Sequence, residues 1–501
     1  MHSAPSLFTL SRSAWLLLAL ACAVHFVLGA SLGLSVDEAH YALYATHLDW
    51  SYFDHPPLVG WVQWPLVALD APTWLLRLVP QALWLGTALL VHGLAERLQA
   101  GLPVGVAGWW ATAVLALTPL LHVLGIGLLP DTLLMFWSAA LVWLTLDLMP
   151  PAALRRPGAW LMLGLLLGLA GLSKYTAIFA AVAVALCLLQ AHGAALLRSP
   201  WPWVAVLVAL VLVLPVAVWN HANHWISFTY QAQHGAGGGW QAAHVLRFLL
   251  VQVLAYGPLL AWAWAGSRQG VAPGARSLLL FFAIPFLVMA VLSGGGTSLP
   301  HWTAPAWVAL APFAGVGLAR AWQQNRHRLV LGLVVAQALV SAVLLGLMFS
   351  AGQPLVANST GQGNSAQPSN PFADLHGWEQ AGATARTLAT QQGLHSVAVQ
   401  NWTLASRLGW YARPLPVHVL EDRFDQFDLW AGDLPPGGDT LLVDWSQLAY
   451  TVPLGAHGFA SCTLLATQDV QRLGAPVASF RFFACRNWSG QPQPQLQGAA
   501  P

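Results

Sequence analysis

Two neighbouring acids near the start of the chain could supply a base for proton transfer. Residues 35–41 have the sequence SVDEAHY, which places Asp37 beside Glu38. Because adjacent side chains on a helix point about 100° apart, these carboxylates cannot face each other as a pair. We expect Asp37 to be a general base on an acceptor hydroxyl, with Glu38 and Tyr41 binding substrate. The alternative is a helix N-terminus that carries acids because they complement its dipole.

An acid and a histidine before two prolines form a second candidate group. Residues 52–58 have the sequence YFDHPPL, in which Asp54 and His55 precede Pro56 and Pro57. The prolines fix an extended turn and remove two backbone donors, which suits the rigid lip of a cavity. Asp54 would bind substrate and His55 would contact a phosphate or a metal, unless His55 is simply a turn histidine.

A third group combines an acid with the single lysine of the chain. Asp131 follows Pro130 where a helix is predicted to begin, so it could orient a sugar hydroxyl or a cation, or cap the helix. Lys174, followed by Tyr175, lies at membrane depth and needs an anion there, which the phosphate of a lipid would supply. The alternative is a lysine that extends from a helix end toward the membrane surface.

Two later histidines complete the set of candidates. His224 precedes a glycine-rich segment at 235–239, a pattern typical of a mobile loop that closes over substrate. His301 lies at the start of an apolar run and could reach the same cavity. A divalent metal held by Asp54, Asp131 or a loop histidine would fit the chemistry, although no spacing supports it. Nucleotide-binding loops, zinc-ligand spacings and nucleophile elbows are absent from the sequence.

Composition shows what kind of structure must position these side chains. Of the 501 residues, 57% are hydrophobic and 8% are charged, against about 25% charged in an ordinary soluble domain. So few charges cannot cover the surface of a soluble protein of this length, whereas a bilayer accepts apolar surface. The net charge of +2 and the lack of a basic tract argue against a nucleic-acid partner.

Apolar runs of about 20 residues, the length that crosses a bilayer, predict about eleven transmembrane helices. The first run is too long for the core of a signal peptide, and we expect it to be retained as a span. The eleven runs begin near Ala14, Trp74, Val104, Thr132, Gly158, Tyr175, Trp201, His244, Ser277, Trp302 and Leu329.

The arginines predict the orientation of these spans. If the N-terminus with Arg12 is cytoplasmic, every short arginine-bearing loop falls on the cytoplasmic side, as the positive-inside rule requires. These loops carry Arg97, Arg155, Arg156, Arg198, Arg268, Arg276, Arg320, Arg326 and Arg328. The candidate residues then lie toward the opposite face, and the predicted location is the inner membrane of a bacterium.

The domain organisation follows from the end of the last apolar run. We predict a mainly α membrane domain at 1–352, with external loops at about 35–72 and 220–241. A polar linker at 353–371 would lead to a periplasmic α/β domain at 372–501. The sequence shows no internal repeat and no inverted halves of the kind common in secondary transporters.

The predicted tail domain contains one helical stretch, near 375–392, and several strand-like runs. Cys462 and Cys485 lie in this domain, and two thiols in one small oxidised domain are expected to pair; the alternative is two free buried thiols. The strand-like runs are 396–400, 415–420, 440–445 and 478–483.

Taken together, these stretches resemble the GT-C membrane glycosyltransferases of family 39 (protein mannosyltransferase-like) and of the lipid A aminoarabinose transferase type. The resemblance covers about residues 14–320, on one face of the predicted membrane domain. It rests on DEAHY at 37–41, YFDHPPL at 52–58, Arg77, Pro130-Asp131, SKY at 173–175, Trp219-Asn220, WISF at 225–228 and PHWTAPA at 300–306.

The resemblance implies a donor sugar carried on a polyprenyl phosphate and a catalytic base at Asp37. The aminoarabinose transferases have Glu-Lys-Pro where this chain has Asp54-His55-Pro56, and their lysine helps to bind the donor phosphate. His55 is a weaker and pH-dependent cation. Lys174, His55, His301 and Tyr175 are the expected donor-phosphate ligands.

The predicted function is inverting transfer of a sugar to a cell-envelope glycan, lipid A or protein. A phosphate leaves readily, so the reaction needs one base and cationic help, without the two carboxylates of a glycosidase. The main alternative is a transporter or flippase of a polyprenyl-linked sugar, and a third is a sensor or scaffold that works through its tail. Activity that is lost in Asp37→Asn but survives deletion of the tail would distinguish the three.

Overall fold

The computed structural model describes residues 10–268, 271–272, 274–355, 370–447 and 458–491. The residue contacts divide the chain into two compact units. The first unit comprises Met1–Val27, Asp49–Val62 and Trp74–Ala342, and the second comprises Leu28–Leu48, Gln63–Thr73 and Val343–Pro501. The second unit therefore contains segments from the predicted 35–72 loop as well as the tail, and the predicted linker lies largely outside the described residues.

The part of the chain before the tail is helical. Its α-helices in chain order are α1 (Arg12–Ser31), α2 (Val36–Thr46), α3 (Leu58–Trp61), α4 (Trp64–Ala68), α5 (Thr73–Leu76), α6 (Leu78–Leu98), α7 (Val106–Leu117), α8 (Pro119–Ile126), α9 (Pro130–Leu148), α10 (Pro157–Ser173), α11 (Ala177–His192), α12 (Ala194–Arg198), α13 (Pro200–Ala222), α14 (Ile226–Ala236), α15 (Ala242–Tyr256), α16 (Ala263–Arg268), α17 (Leu280–Leu292), α18 (Ala304–Gln323) and α19 (His327–Ser350). Short 3₁₀ helices lie at Pro151–Arg155, Pro258–Trp262, Ala275–Leu279, Ser293–Gly295 and Pro300–Thr303.

Within the described residues, seven helices are long and apolar enough to cross a bilayer, or nine if two bent pairs each form one span. Helices α10 and α11 are apolar but shorter, with 17 and 16 residues. The seven long helices, the two bent pairs and these two shorter helices correspond to the eleven apolar runs of the sequence. The structure confirms a polytopic helical protein and does not confirm that all eleven runs cross the membrane.

The two bent pairs meet at residues that cannot continue a helix. Helices α7 and α8 are bent by 74° where Thr118 precedes Pro119, and α15 is bent by 97° from the segment after Gly257. A bend leaves backbone groups without helical partners, which is costly in hydrocarbon. Gln337 of α19 serves both bends: its Oε1 accepts from Leu259 N at 3.0 Å, and its Nε2 lies 3.3 Å from Thr118 Oγ1.

Helix α18 is the central helix of the first unit and is almost entirely buried. Two glycines allow its close approach to α16. A Cβ on Gly317 would lie 2.2 Å from Trp262 O, and one on Gly266 would lie 1.9 Å from Phe313 O. Because only glycine fits at such contacts, the backbones can pack closely enough to bury α18, as small residues do between membrane helices.

Within its described residues, the tail forms a five-stranded sheet in the order β2-β1-β3-β5-β4, in which β1 is parallel to β2 and β3 while β5 is antiparallel to β3 and β4. Cys462 and Cys485 form a disulfide between β4 and β5, as predicted. The elements are α20 (Trp378–Gln392), β1 (Val397–Val399), α21 (Trp402–Tyr411), β2 (Val417–Val419), α22 (Gln426–Trp430), β3 (Thr440–Trp445), β4 (Phe459–Arg472) and β5 (Ala475–Trp488).

The sequence predicted α20 and strands β1, β2, β3 and β5, but missed strand β4 and helices α21 and α22. Most residues of β4 are exposed or only half buried because it is an edge strand with β5 on one side. Such a strand lacks the alternation of apolar and polar residues that identifies a half-buried strand in a sequence.

Candidate active site

Asp131 and Lys174 form a buried ion pair in the first unit. Asp131 lies in the first turn of α9, and Lys174 directly follows the last residue of α10. The Lys174 Nζ donates to both carboxylate oxygens of Asp131, at 2.7 Å each, and the residues are 6% and 1% exposed. The ammonium that the sequence placed at membrane depth thus has an anion within the protein, which offsets its cost there.

A third side chain approaches this pair from the turn that precedes α18. His301 Nε2 lies 3.7 Å from Asp131 Oδ2, which is a charge contact and too long for a hydrogen bond. The Lys174 ammonium also lies 5.7 Å from the centre of the Trp302 ring, a cation–π distance. We refer to Asp131, Lys174 and His301 as the polar cluster. It can present the Lys174 ammonium and the His301 imidazole to an anion while one carboxylate lies against both.

Tyr175 lies beside the polar cluster along the chain and contacts a different segment. Its hydroxyl is 3.3 Å from Ser51 Oγ. The same segment is held by α14, because Ser227 Oγ donates to Tyr52 O at 2.7 Å. Gln231 Nε2 likewise donates to Asp54 O, at 2.5 Å. Residues 51–54 are therefore positioned by hydrogen bonds to elements far away in the sequence.

Asp54 and His55 lie close together and are mostly buried. His55 Nδ1 is 3.0 Å from Asp54 Oδ2, and their side chains are 14% and 16% exposed. The imidazole and the carboxylate therefore lie side by side within the first unit.

His224 is not part of this arrangement. It is exposed and has a left-handed backbone with φ of 55°, next to Trp225 with φ of 59°. The glycine-rich segment that follows is held by the backbone at 294–295: Gly238 N donates to Gly295 O and Gln241 N to Gly294 O, both at 2.8 Å. The predicted loop therefore has fixed backbone contacts in this structure.

Asp37 and Glu38 lie in the second unit, where the structure divides their roles. Glu38 belongs to a capping box at the start of α2: Ser35 Oγ accepts from Glu38 N at 3.3 Å, and the Glu38 carboxylate accepts from Ser35 N at 3.0 Å. Asp37 takes no part in this box and is half buried. Tyr41 is buried, and its carbonyl accepts from Gln63 Nε2 at 3.1 Å.

Sequence reasoning missed several residues that hold the site together. Gln252 Oε1 accepts from Thr303 Oγ1 at 2.6 Å and from Trp307 Nε1 at 2.8 Å, next to the turn that carries His301. Asp49 accepts from Trp219 Nε1 at 2.8 Å. A buried glutamine inside an apolar run was the one available signal for Gln252, because such a group needs partners in hydrocarbon.

Metal binding was left open by the sequence. In the parts of the chain that the structure describes, no group of three or more His, Cys, Asp or Glu side chains could hold a metal ion. Asp54 with His55 offers two ligands, and Asp131 is already engaged by Lys174.

Three comparisons relate the chain to known proteins. A model of the dolichyl-phosphate-mannose-protein mannosyltransferase family matches residues 54–219. The lipid A galacturonosyltransferase RgtD of Rhizobium johnstonii is 28% identical over 286 residues, which cover 55% of this chain and 58% of that protein. The lipopolysaccharide core galacturonosyltransferase RgtA of the same organism is 26% identical over 361 residues, covering 66% of this chain and 70% of that protein.

Solved structures show the same fold. ArnT from Cupriavidus metallidurans, bound to undecaprenyl phosphate, has a TM-score of 0.65 at 17% identity, with 94% of this chain and 98% of that chain covered. The arabinofuranosyltransferase AftD from mycobacteria has a TM-score of 0.52 at 16% identity, with 96% and 42% covered. The first of these spans both the helical part and the tail.

The chain is a multi-pass helical protein with the GT-C fold, and its relatives are membrane glycosyltransferases. Within that class the chain is similar to the family 39 mannosyltransferases and to enzymes that modify lipid A and lipopolysaccharide. The resemblance inferred from the sequence and the predicted fold class are confirmed. The transporter and scaffold alternatives find no support among these relatives.

Proposed function

We propose that this glycosyltransferase moves a sugar from a polyprenyl-phosphate donor to a glycolipid acceptor at the outer face of a bacterial inner membrane. The observation that carries the proposal is the polar cluster, in which a buried lysine and a histidine are held by one carboxylate. A cationic site within an apolar helical unit suits a phosphate that arrives on a lipid.

The cluster can stabilise the phosphate that leaves the sugar. Lys174 donates to both Asp131 oxygens, so it can turn one donor toward a phosphate while the other keeps it in place. His301 and His55 would add charge as the anion departs. Asp37, carried by the second unit, would take the proton of the acceptor hydroxyl. Attack on the side opposite the leaving phosphate inverts the anomeric carbon.

The relatives suggest which sugar and acceptor to test first. Both curated relatives are named as galacturonosyltransferases, one acting on lipid A and one on the lipopolysaccharide core. A structural neighbour was solved with undecaprenyl phosphate. We therefore propose a uronic acid on a polyprenyl phosphate as the donor and the lipid A–core region as the acceptor.

The test is transfer by the purified full-length protein in nanodiscs. Radiolabelled undecaprenyl-phosphate galacturonic acid, galactose and aminoarabinose would be offered with lipid A and with core lipopolysaccharide. We expect transfer of the uronic acid. We expect Lys174→Met and Asp37→Asn each to lower kcat/KM by about 10²-fold or more, the usual effect of removing a transition-state contact or catalytic base.

Arg486→Gln is the matched control, because Arg486 lies in an exposed ion pair with Asp439. It should leave the rate unchanged. Full activity of Lys174→Met would contradict the role of the polar cluster. Transfer of galactose or aminoarabinose in place of the uronic acid would contradict the proposed donor, and donor crossing a proteoliposome membrane without transfer would favour a flippase.

A further inference from the structure

The helix that carries Asp37 is anchored to the tail within the second unit. Three backbone amides that precede Asp37 donate to the tail: Gly33 N to Leu375 O at 2.9 Å, Leu34 N to the Tyr411 hydroxyl at 2.8 Å, and Val36 N to Asp374 Oδ2 at 3.1 Å. On the next turn, His40 Nδ1 lies 3.1 Å from Ser406 Oγ. The start of α2 is thus held by residues more than 300 positions away.

Asp374 acts as an additional cap for this helix. Val36 is the first residue of α2, and its N–H has no partner inside the helix, as is usual in a first turn. The Asp374 carboxylate accepts from this N–H with one oxygen and from the Arg407 guanidinium with the other. The position of Asp374, and with it the start of α2, therefore depends on Arg407.

Arg407 is itself held rigidly. It is 2% exposed and lies against the rings of Trp378 and Trp445, at 4.0 and 4.8 Å from their centres. Its Nε donates to Thr403 O at 3.0 Å. A buried guanidinium that contacts two indole rings has little freedom, so the hydrogen bond to Asp374 is well defined in direction.

The charge of Arg407 also acts on Asp37. Burial lowers the pKa of Arg407 to about 9, and the nearby Asp37 carboxylate raises it. This reciprocal attraction means that Arg407 interacts electrostatically with two carboxylates, Asp374 through a hydrogen bond and Asp37 through space.

We propose that Arg407 is a positioning residue of the transfer reaction, which fixes the start of α2 through Asp374 and supplies a fixed positive charge beside Asp37. The inference rests on the proposed role of Asp37 as the base. The inference also alters how a tail deletion would be interpreted. The sequence alone suggested this deletion as a test of which part of the chain carries the activity. Deleting the tail would remove Asp374, Arg407 and the anchor of the proposed base together.

Other titratable groups surround α2, and their effects on Asp37 must be distinguished from the effect of Arg407. Glu38 is held in the capping box and His40 lies on Ser406. Asp425, on the loop before α22, interacts electrostatically with His40. Burial lowers the pKa of Arg413, which lies elsewhere on the tail, and Asp70 on the segment 63–73 opposes that shift. Removing Arg407 takes a positive charge away from Asp37, whereas removing the Asp374 carboxylate takes a negative charge away. The two variants should therefore shift the pH dependence of the base in opposite directions, which distinguishes this pair from the other groups.

The experiment compares the acid limb of the pH profile of kcat/KM in the full-length protein. In Arg407→Met the base loses a neighbouring positive charge, so we expect the limb to move to higher pH by about one unit, with kcat reduced about tenfold or more. In Asp374→Asn a negative charge close to Arg407 and α2 is lost, so the limb should move to lower pH. Arg407→Lys keeps the positive charge but lacks the planar guanidinium. Its acid limb should lie at the wild-type pH, while its rate should stay low.

Several outcomes would overturn the inference, and they differ from failure of the proposed function. An active Asp37→Asn variant would show that Asp37 is not the base. If Asp37→Asn is inactive but Arg407→Met and Asp374→Asn lose rate with an unmoved acid limb, the two residues have only a structural role. Should Arg407→Met not fold, Asp374→Asn and Arg407→Lys still decide the matter, and Arg486→Gln should match the wild-type profile.

Discussion

Lys174 occupies its buried position because Asp131 lies opposite it, 43 residues earlier in the chain. The sequence marked both residues separately, one as a cation in need of an anion and one as a helix-capping or cation-orienting acid. It could not show that each was the other's partner, because α9 and α10 could have packed with many relative rotations. The residue types were predictable, and their pairing was a property of the packing.

Asp425 provides a prediction about stability and pH. Its Oδ1 caps α22 by accepting from Phe427 N, while its Oδ2 is buried without a hydrogen-bond partner among the described residues. Burial raises its pKa to about 7. Because the folded form binds this proton more tightly than the unfolded form, stability should fall as pH rises from about 4 to about 7.

Asp425→Asn keeps the capping oxygen and removes the buried charge. We expect the variant to have a higher thermal midpoint than the wild type at pH 8 and a similar one at pH 4.5, measured on detergent-purified protein. Asp469→Asn, on the exposed strand β4, is the control and should change neither value. A stabilisation of equal size at both pH values would contradict the electrostatic explanation.

At the scale of elements, the broken spans are the feature that distinguishes this protein from a simple bundle. Prolines at 119 and 258 made an interruption of two apolar runs predictable. The residue that compensates for these interruptions could not be predicted, since Gln337 belongs to a helix far along the chain. Its amide satisfies groups at both interruptions, and it is 1% exposed.

Gln337→Leu should therefore destabilise the protein more than its change in polarity suggests. Leu259 N would lose its acceptor in a buried, apolar setting, which costs about 1–3 kcal/mol per unsatisfied group. The measurement is the thermal midpoint in detergent and in nanodiscs. Gln324→Leu, at the exposed end of α18, makes the same chemical change without losing a buried partner. Equal effects of the two variants would refute the bridging role.

For the whole molecule, the arginine distribution predicts an orientation that can be measured directly. All the short loops with arginine should be cytoplasmic, and the tail with its disulfide should lie outside, where disulfides persist. Alkaline phosphatase fused after Arg198 should be inactive in a bacterial host, whereas the enzyme fused after Ala351 should be active. A cytoplasmic reporter at the same sites should give the reverse result, and phosphatase activity after Arg198 would disprove the orientation.

The sequence by itself determined that the protein is a multi-pass helical membrane protein with a small α/β tail. It did so because backbone groups in hydrocarbon must be satisfied within each span, which leaves long apolar runs that can be identified without the fold. The residues able to do chemistry could also be selected, since charged side chains at membrane depth are costly without a purpose.

Tertiary structure decided which of those residues act together. Two of these arrangements join distant parts of the chain: Lys174 pairs with Asp131, and Arg407 holds the start of α2 through Asp374. A third distinguishes between neighbours, because Glu38 caps α2 and Asp37 does not. Such contacts depend on the distances and rotations of packed elements. Local sequence patterns carry no record of them, because the same pattern folds into a helix whatever it packs against.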